Sequence, residues 1–436
     1  MQQALIIWPE PIDQLMVKGS FVRWGLCFLT FILTSCPKEP SFPSSKHLET
    51  ALLELPSKRM KIHSKEPISL EIIPESNPTA LSDLIQIESM VFLSNEYPLG
   101  YIEKIIQKEH LLYLLDNSAG QLYCFDINGQ YQWHFGDKGN NEKQVKGLDD
   151  FSLMPGKNEL VLLDHKGMSL IFINALDGSF ISKKPMELFA HEIAVLDANN
   201  YLIFTDFSIW NPAIDGNLIA LDSSLKIVSK DFPISAKGAE MAFSKVRSLN
   251  SLHPDNILFN PLLNDTIFSV SSTKGIQPKY AIDFGPLILN PLNYSPEQLR
   301  NQLVDCRQEA SRIDNIIELD NTLFFTFCYQ DGYYCYYDKT TQKVQTFSTE
   351  SLEENLFLGG LNLKPMGVSE SREQFIFTVD PFLIADQYQF ISENNQKSNE
   401  LEEWFQKFPF FLQVSNQTTL DDNPILVFAS FKRNRS

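Results

Sequence analysis

The feature that most limits the fold is a repeated pair of short apolar runs, each closed by Asp or another turn residue, recurring from residue 100 to the end. Early copies are Leu111 to Asp116 with Leu122 to Asp126, Leu160 to Asp164 with Leu170 to Asn174, and Tyr201 to Asp206 with Leu218 to Asp222. Looser copies follow at Ile257 to Asn260 with Thr266 to Val270, Thr322 to Phe327 with Tyr333 to Asp338, and Phe375 to Asp380 with Ile425 to Phe431. Aligned on Tyr113, Val161, Ile203, Leu258, Phe324 and Ile376, the spacings are 48, 42, 55, 66 and 52 residues. Short runs punctuated by turn residues read as strands, and their recurrence reads as six units of about four strands each.

These strands do not alternate apolar with polar. Leu111-Leu112-Tyr113-Leu114-Leu115, Leu160-Val161-Leu162-Leu163 and Leu323-Phe324-Phe325-Thr326-Phe327 are apolar on both faces. An antiparallel sheet with one wet face should alternate, so each sheet is expected to be covered on both sides. A ring of sheets around an axis does this, and the competing architecture is a β-sandwich. Because unit length and strand count recur while helical periodicity is nearly absent, the expectation is an all-β, six-bladed β-propeller over residues 66–436. Residues near Ile68 to Phe92 should pair with the C-terminal strands, joining both chain ends in the last blade and removing an open edge. Two short helical insertions are expected. Ser295-Pro296-Glu297 offers a cap, a first-turn proline and an early acid for a helix to about Ser311, and Asn399 to Lys407 is the second.

A chain of 436 residues with net charge −18 has no basic cluster of the kind that nucleic acid or an anionic bilayer attracts, so neither is expected as the main partner. Among the six cysteines no C-x-x-C pair occurs, which argues against structural zinc. Cys328 and Cys335 flank Asp331-Gly332. If that dipeptide is a two-residue turn, the two cysteines face each other within disulfide range. The alternative is two free buried thiols.

No catalytic motif stands in the chain: there is no G-x-S-x-G, H-E-x-x-H, Walker loop or EF-hand spacing. The seven histidines are scattered, with no i, i+4 pair. Asp116, Asp164 and Asp206 end successive strands, where capping of turn N–H groups is the simplest role. The better ligand-binding candidates lie where each blade's inner strand begins, since those positions converge on an axial channel. They are Glu103, Asp149, Asp150, His191, Glu192, Arg247 and Arg312, with Asp314 and Lys364 alongside. Mixed charges there could orient a polar ligand or could bridge one another across the channel. Trp210 and Tyr333, Tyr334, Tyr336 and Tyr337 are candidates for stacking on sugar rings or peptide side chains.

Lys18 and Arg23, the apolar run Trp24 to Thr34, and Leu33-Thr34-Ser35-Cys36 together resemble the signal peptide and lipobox of bacterial lipoproteins. The resemblance implies residues 1–36 as a signal segment, with Met16 the true start, and acylation of Cys36. A Pro- and Ser-rich tether over 37–65 would follow. The run is shorter than the roughly 20 apolar residues a membrane span needs. The alternative is a buried strand or helix of a cytosolic domain, with Cys36 an ordinary core cysteine.

From Leu81-Ser82-Asp83-Leu84 and Leu99-Gly100-Tyr101-Ile102-Glu103-Lys104-Ile105, through Leu112 to Asp116 and Phe125-Asp126-Ile127-Asn128-Gly129, the chain resembles six-bladed β-propeller lipoproteins of Gram-negative bacteria, with NHL-like repeats. Asn264 to Phe268, Tyr280 to Gly285 and Asn423 to Val427 extend the resemblance, and the loop Asp137 to Gly147 departs from the glycine- and proline-rich form usual there. What the resemblance implies is fold, lipidation and export, with the protein on the outer membrane facing the periplasm or the outside.

The leading functional expectation is a non-catalytic module that binds a protein, carbohydrate or peptide, touches the membrane through its lipid alone and needs no cofactor. The rival is a metal-dependent propeller hydrolase, resembling lactonases, with Glu103, Asp149, Asp150 and Glu192 around an axial divalent ion. A scaffold subunit of an envelope complex is a third reading.

Overall fold

Strand Leu111–Asp116 is buried along its whole length, and the two faces go to different neighbours. Leu111, Tyr113 and Leu115 join an apolar cluster with Leu153, Leu160, Leu162 and Ile171, whereas Leu112 and Leu114 join one with Met366, Ile376, Leu426 and Phe428. The next unit repeats the division: Leu160 and Leu162 face back, and Val161 and Leu163 face forward to Ile193, Tyr201 and Ile203. This is why the strands lack alternation. Each fully buried Leu or Phe contributes about 1.5–3 kcal/mol relative to exposure, and every sheet collects that on both faces.

The structure is a computed structural model that describes residues 60, 65–75, 77–205, 216–233, 247–253, 256–261, 263–305, 309–394 and 405–432. The expected signal segment, the lipid site at Cys36, nearly all of the tether, Asp206, Trp210 and most of the expected helix at Asn399 to Lys407 lie outside the described residues.

Among the described residues, counting the one eight-stranded sheet as two halves, the sheet order holds six antiparallel units of four strands, one of them with a fifth strand added at its edge. Their first strands are Ile102–Lys108, Leu148–Leu153, Glu192–Asp197, Leu249–His253, Ser311–Glu318 and Leu361–Val368. Six apolar clusters lie between successive units, and the last links the sixth unit back to the first. The fold is an all-β propeller.

The sixth unit combines Leu361–Val368, Phe375–Val379 and Ile425–Phe431 with Ile85–Phe92 from the N-terminal side, paired antiparallel from Ile85↔Phe431 to Phe92↔Ile425. Joining of early and late strands is therefore present. Ile68–Glu71 departs from the expectation: it pairs in parallel with Tyr280–Asp283 as a fifth strand on unit four. That placement covers an outer edge which would otherwise offer unpaired backbone groups.

The helix after unit four runs Pro296–Asp305, and Ser295 caps it reciprocally. Gln298 N donates to Ser295 Oγ at 3.3 Å, and Ser295 N donates to Gln298 Oε1 at 2.9 Å. Inside the last unit, helices Pro381–Asn394 and Pro409–Gln417 seat Ile384, Phe411 and Val414 in the cluster shared by units five and six. The sequence reading did not anticipate either helix.

Cys328 and Cys335 are not bonded to each other. Cys335 is a free buried thiol, whereas Cys328 is disulfide-bonded. The hairpin turns one residue earlier than expected, at Gln330 (φ 58°), so that Cys328 faces Gly332 and Cys335 faces Phe325. Asp331 is held out of the turn. Its carboxylate accepts from Gly332 N at 2.7 Å, Thr349 Oγ1 at 2.7 Å and Glu350 N at 3.0 Å, tying the hairpin to the end of the next strand.

Candidate functional site

The first strands of units one and two each carry a one-residue irregularity at their start. Ile102 faces Asp116 and Lys104 faces Leu115, leaving Glu103 over; Leu148 faces Asp164 and Asp150 faces Leu163, leaving Asp149 over. A bulge of this kind re-aims adjacent side chains, so neighbours in sequence go to different places. Lys104 and Asp150 are buried, 1% and 0% exposed, while the extra residues Glu103 and Asp149 remain partly exposed. Glu192 begins the first strand of unit three and is buried.

The buried set forms one network. Lys104 Nζ donates to Asp150 Oδ1 at 2.9 Å, Phe151 O at 2.7 Å and Ser251 Oγ at 3.1 Å, and its ring neighbour is Phe151. Asp150 Oδ2 accepts from Ile193 N at 2.9 Å. The Arg247 guanidinium stands 3.6 Å from Asp150 and 3.4 Å from Glu103, and the Arg247 backbone N–H donates to Asp314 Oδ1 at 3.2 Å. Both oxygens of Glu192 accept backbone N–H groups, from Ser248 at 3.1 Å and Leu249 at 2.7 Å. Burial pulls the Lys104 amine below its ordinary value, against Asp150. Burial likewise pushes the Glu192 carboxyl up to about 8, against the pull of Arg247 and of the two backbone donors.

These contacts have a structural result. The strand Leu249–His253 lies against the first strands of all the other units, and Lys104, Glu192, Ser251 and Arg247 fasten it there. The convergence point of the strands is thus packed with mutually compensating charges. Of the residues singled out from sequence, Glu103, Asp150, Glu192, Arg247 and Asp314 meet in this network, together with Lys104, which was not among them. Arg312 does not join it by contact: its guanidinium donates to Leu303 O at 3.3 Å, toward the helix. Lys364 is pulled down by burial while sensing Asp314, Arg247, Glu103 and Arg312.

Asp149 and His191 belong to a second cluster, whose third member is His165. Asp149 Oδ2 is 3.3 Å from His165 Nδ1 and 3.4 Å from His191 Nδ1, with side chains 30%, 12% and 36% exposed. The imidazoles lie 4.4 Å apart between ring centres, and the Phe189 ring, inclined 62° to His165, has its centre 3.9 Å from that of His165. His165 Nδ1 also lies 2.9 Å from Ala190 O, and since a carbonyl only accepts, that nitrogen carries the proton. Burial holds the His165 ring below its ordinary value, outweighing Asp149. Asp149 is the extra residue at the start of one strand, His165 follows the end of the strand beside it, and His191 precedes the first strand of the next unit. The three are spread over 43 positions in sequence, and register alone brings them together. The one local signal was that two of them directly neighbour acidic residues at strand ends, Asp164 and Glu192.

The repeated aspartates cap turns. Asp116 accepts from Gly100 N at 2.6 Å and Ala119 N at 3.0 Å, and Asp164 from Gly147 N at 3.1 Å and Gly167 N at 2.9 Å. Tyr333, Tyr336 and Tyr337 are buried in the fold, and Tyr334 stacks on Phe324. A concavity of about 790 Å³ lies at the seam of units five and six, beside the turn Leu319–Thr322, lined by Gln86, Tyr336, Arg372, Gln374, Phe431 and Lys432. It shares no residue with either charged cluster.

The family described as domain of unknown function DUF4934 matches residues 75–430, and the chain belongs to that family. Comparison with curated proteins found no match. Among solved structures, one described as an exported protein of Bacteroides fragilis is 19% identical, with TM-score 0.67, covering 86% of this chain and all of the other. A DUF4221 family member from Bacteroides vulgatus is 10% identical, with TM-score 0.45, over 80% of this chain and 98% of the other. BamB from Moraxella catarrhalis is 12% identical, with TM-score 0.35, over 61% and 67%. The likeness to the Bacteroides fragilis protein is one of fold.

Proposed function

We propose that this member of the DUF4934 family is an exported propeller, anchored to the envelope by a lipid on Cys36, that binds a ligand or protein partner without transforming it. Leader-like residues Met16 to Cys36, and the description of the Bacteroides fragilis protein of like fold as exported, support the location. No helix among the described residues is long and apolar enough to cross a membrane, which agrees with a lipid as the attachment. The NHL-like character of the repeats is part of the same proposal.

The observation that carries the binding reading is the state of the convergence point. Lys104, Asp150, Glu192 and Arg247 satisfy one another and the backbone, so the groups that could activate a substrate there are already engaged. Recognition then falls to the partly exposed positions at the strand starts, Glu103, Asp149 and His191. The axial hydrolase arrangement of Glu103, Asp149, Asp150 and Glu192 draws no support, because two of the four carboxylates are buried in other bonds.

Thermal midpoints measured across a panel of glycans, peptides and divalent ions test recognition, since a ligand that binds the folded chain raises its midpoint. Crosslinking in cells tests for a protein partner. No shift, no crosslinked partner and turnover of an ester or lactone would replace this reading with an enzymatic one. Incorporation of labelled palmitate that disappears in Cys36→Ala supports the anchor, and equal labelling of both proteins would refute it.

A further inference from the structure

The cluster of Asp149, His165 and His191 leads beyond the binding reading and stands without it. One donor atom from each side chain lies within 4.8 Å of the other two. We infer that these three residues hold one divalent transition-metal ion of the zinc type, with a further coordination position open to solvent.

Three observations carry this. The first is residue type. Two imidazoles and one carboxylate suit zinc, cobalt, nickel or copper, whereas calcium and magnesium take sets of oxygens. The second is spacing. An ion about 2.0–2.1 Å from each donor at tetrahedral angles sets donors about 3.3–3.4 Å apart. Asp149 Oδ2 stands 3.3 Å and 3.4 Å from the Nδ1 atoms of His165 and His191. The third is support. Asp149 is aimed by its bulge, and the His165 ring packs against the Phe189 ring with their centres 3.9 Å apart. Pre-set ligands lose little freedom when the ion arrives.

As it stands the Nδ1–H of His165 donates to Ala190 O; an ion bound at this nitrogen takes the place of that hydrogen bond, and the ring proton moves to Nε2, the other tautomer of the neutral imidazole. Three protein ligands on partly exposed side chains leave room for a water or for one donor atom of a ligand, the arrangement of a working rather than a purely structural metal site. The set differs from the four carboxylates considered from sequence, and it shares only Asp149 with them.

The test is metal content and cobalt spectroscopy on the full chain. After equilibration with Zn²⁺ or Co²⁺ and dialysis, wild type should retain one ion per chain, and Co²⁺ should give the intense visible absorption of a four-coordinate site. His191→Ala, at a side chain 36% exposed, and Asp149→Asn should each weaken binding by at least about tenfold. Zn²⁺ should raise the melting midpoint of wild type alone, and Ca²⁺ or Mg²⁺ should not. Should a variant fail to fold, protection of His165 and His191 from diethyl pyrocarbonate by Zn²⁺ in wild type gives the same answer. Absence of a retained ion in wild type, equal retention by variants and wild type, or unprotected histidines would each overturn the assignment.

Discussion

Lys104 and Asp150 occupy equivalent places in neighbouring units and meet at 2.9 Å with both side chains buried. The pair shows how the repeat is used: the same bulge, one unit apart, delivers a cation from one strand and an anion from the next. Removing one partner of a buried pair leaves an uncompensated charge, which typically costs 3–5 kcal/mol.

Lys104→Met should therefore lower unfolding stability by about 3 kcal/mol, read from the urea midpoint at pH 7. Adding Asp150→Asn should recover part of the loss, because the amide oxygen still accepts from Ile193 N and no unpaired anion remains. An unchanged midpoint in the single variant would dismiss the network as a stabilising element.

A pH dependence follows from Glu318. Burial alone would raise its carboxyl, but Lys279 and Lys339, 2.5 and 2.8 Å away, hold it down to about 2, below the ordinary 4.5. The folded group stays charged where the unfolded one takes a proton. The stabilisation is thus complete above about pH 4.5 and fades as pH falls toward 2. Thermal midpoints of Glu318→Gln should fall less steeply across that window than those of wild type; parallel curves would contradict the assignment.

Gly129 sits at φ 82°, where an added Cβ would lie 2.0 Å from Phe92 O, and its own carbonyl accepts from Ser94 N. It thus joins the first unit's hairpin to the end of the strand that completes the last unit. Gly129→Ala should destabilise the chain by about 2 kcal/mol or more, through backbone strain and the forced separation of these segments. Hydrogen exchange should show the Ile85–Phe92 strand loosened first, and uniform protection would argue against the coupling.

Thiol chemistry should sort the cysteines into classes. Burial pushes the Cys124 thiol up to about 12 and Cys335 well above 9, so neither should react with a maleimide in the native protein. Both should react on unfolding, whereas Cys328 should need reduction as well. Peptide mapping after each step checks this, and labelling of Cys328 before reduction would refute it.

The second and third strands of all six units were legible from sequence, because a segment buried on both faces cannot hide its composition. Leu111–Asp116 and Gln121–Asp126 are examples. The helix at Pro296 was legible too, since its cap and proline are local signals. Helices Pro381–Asn394 and Pro409–Gln417 were not. Their apolar residues, such as Phe411 and Val414, serve a core shared with distant strands and carry little periodic signature of their own. Fold and inner-strand candidates could be read, but the sorting of Asp149 from Asp150 could not.

What the chain determined by itself was the architecture: strands apolar on both faces must be covered on both faces, and units that recur at similar length do this by packing against copies of themselves. Tertiary structure decided everything that depends on a single residue of register. One bulge sends Asp150 inward to Lys104 and leaves Asp149 with His165 and His191, and a turn placed at Gln330 separates Cys335 from Cys328. Side chains alternate faces at every step along a strand, so a one-residue shift reassigns each partner, and pairings between distant strands set that shift.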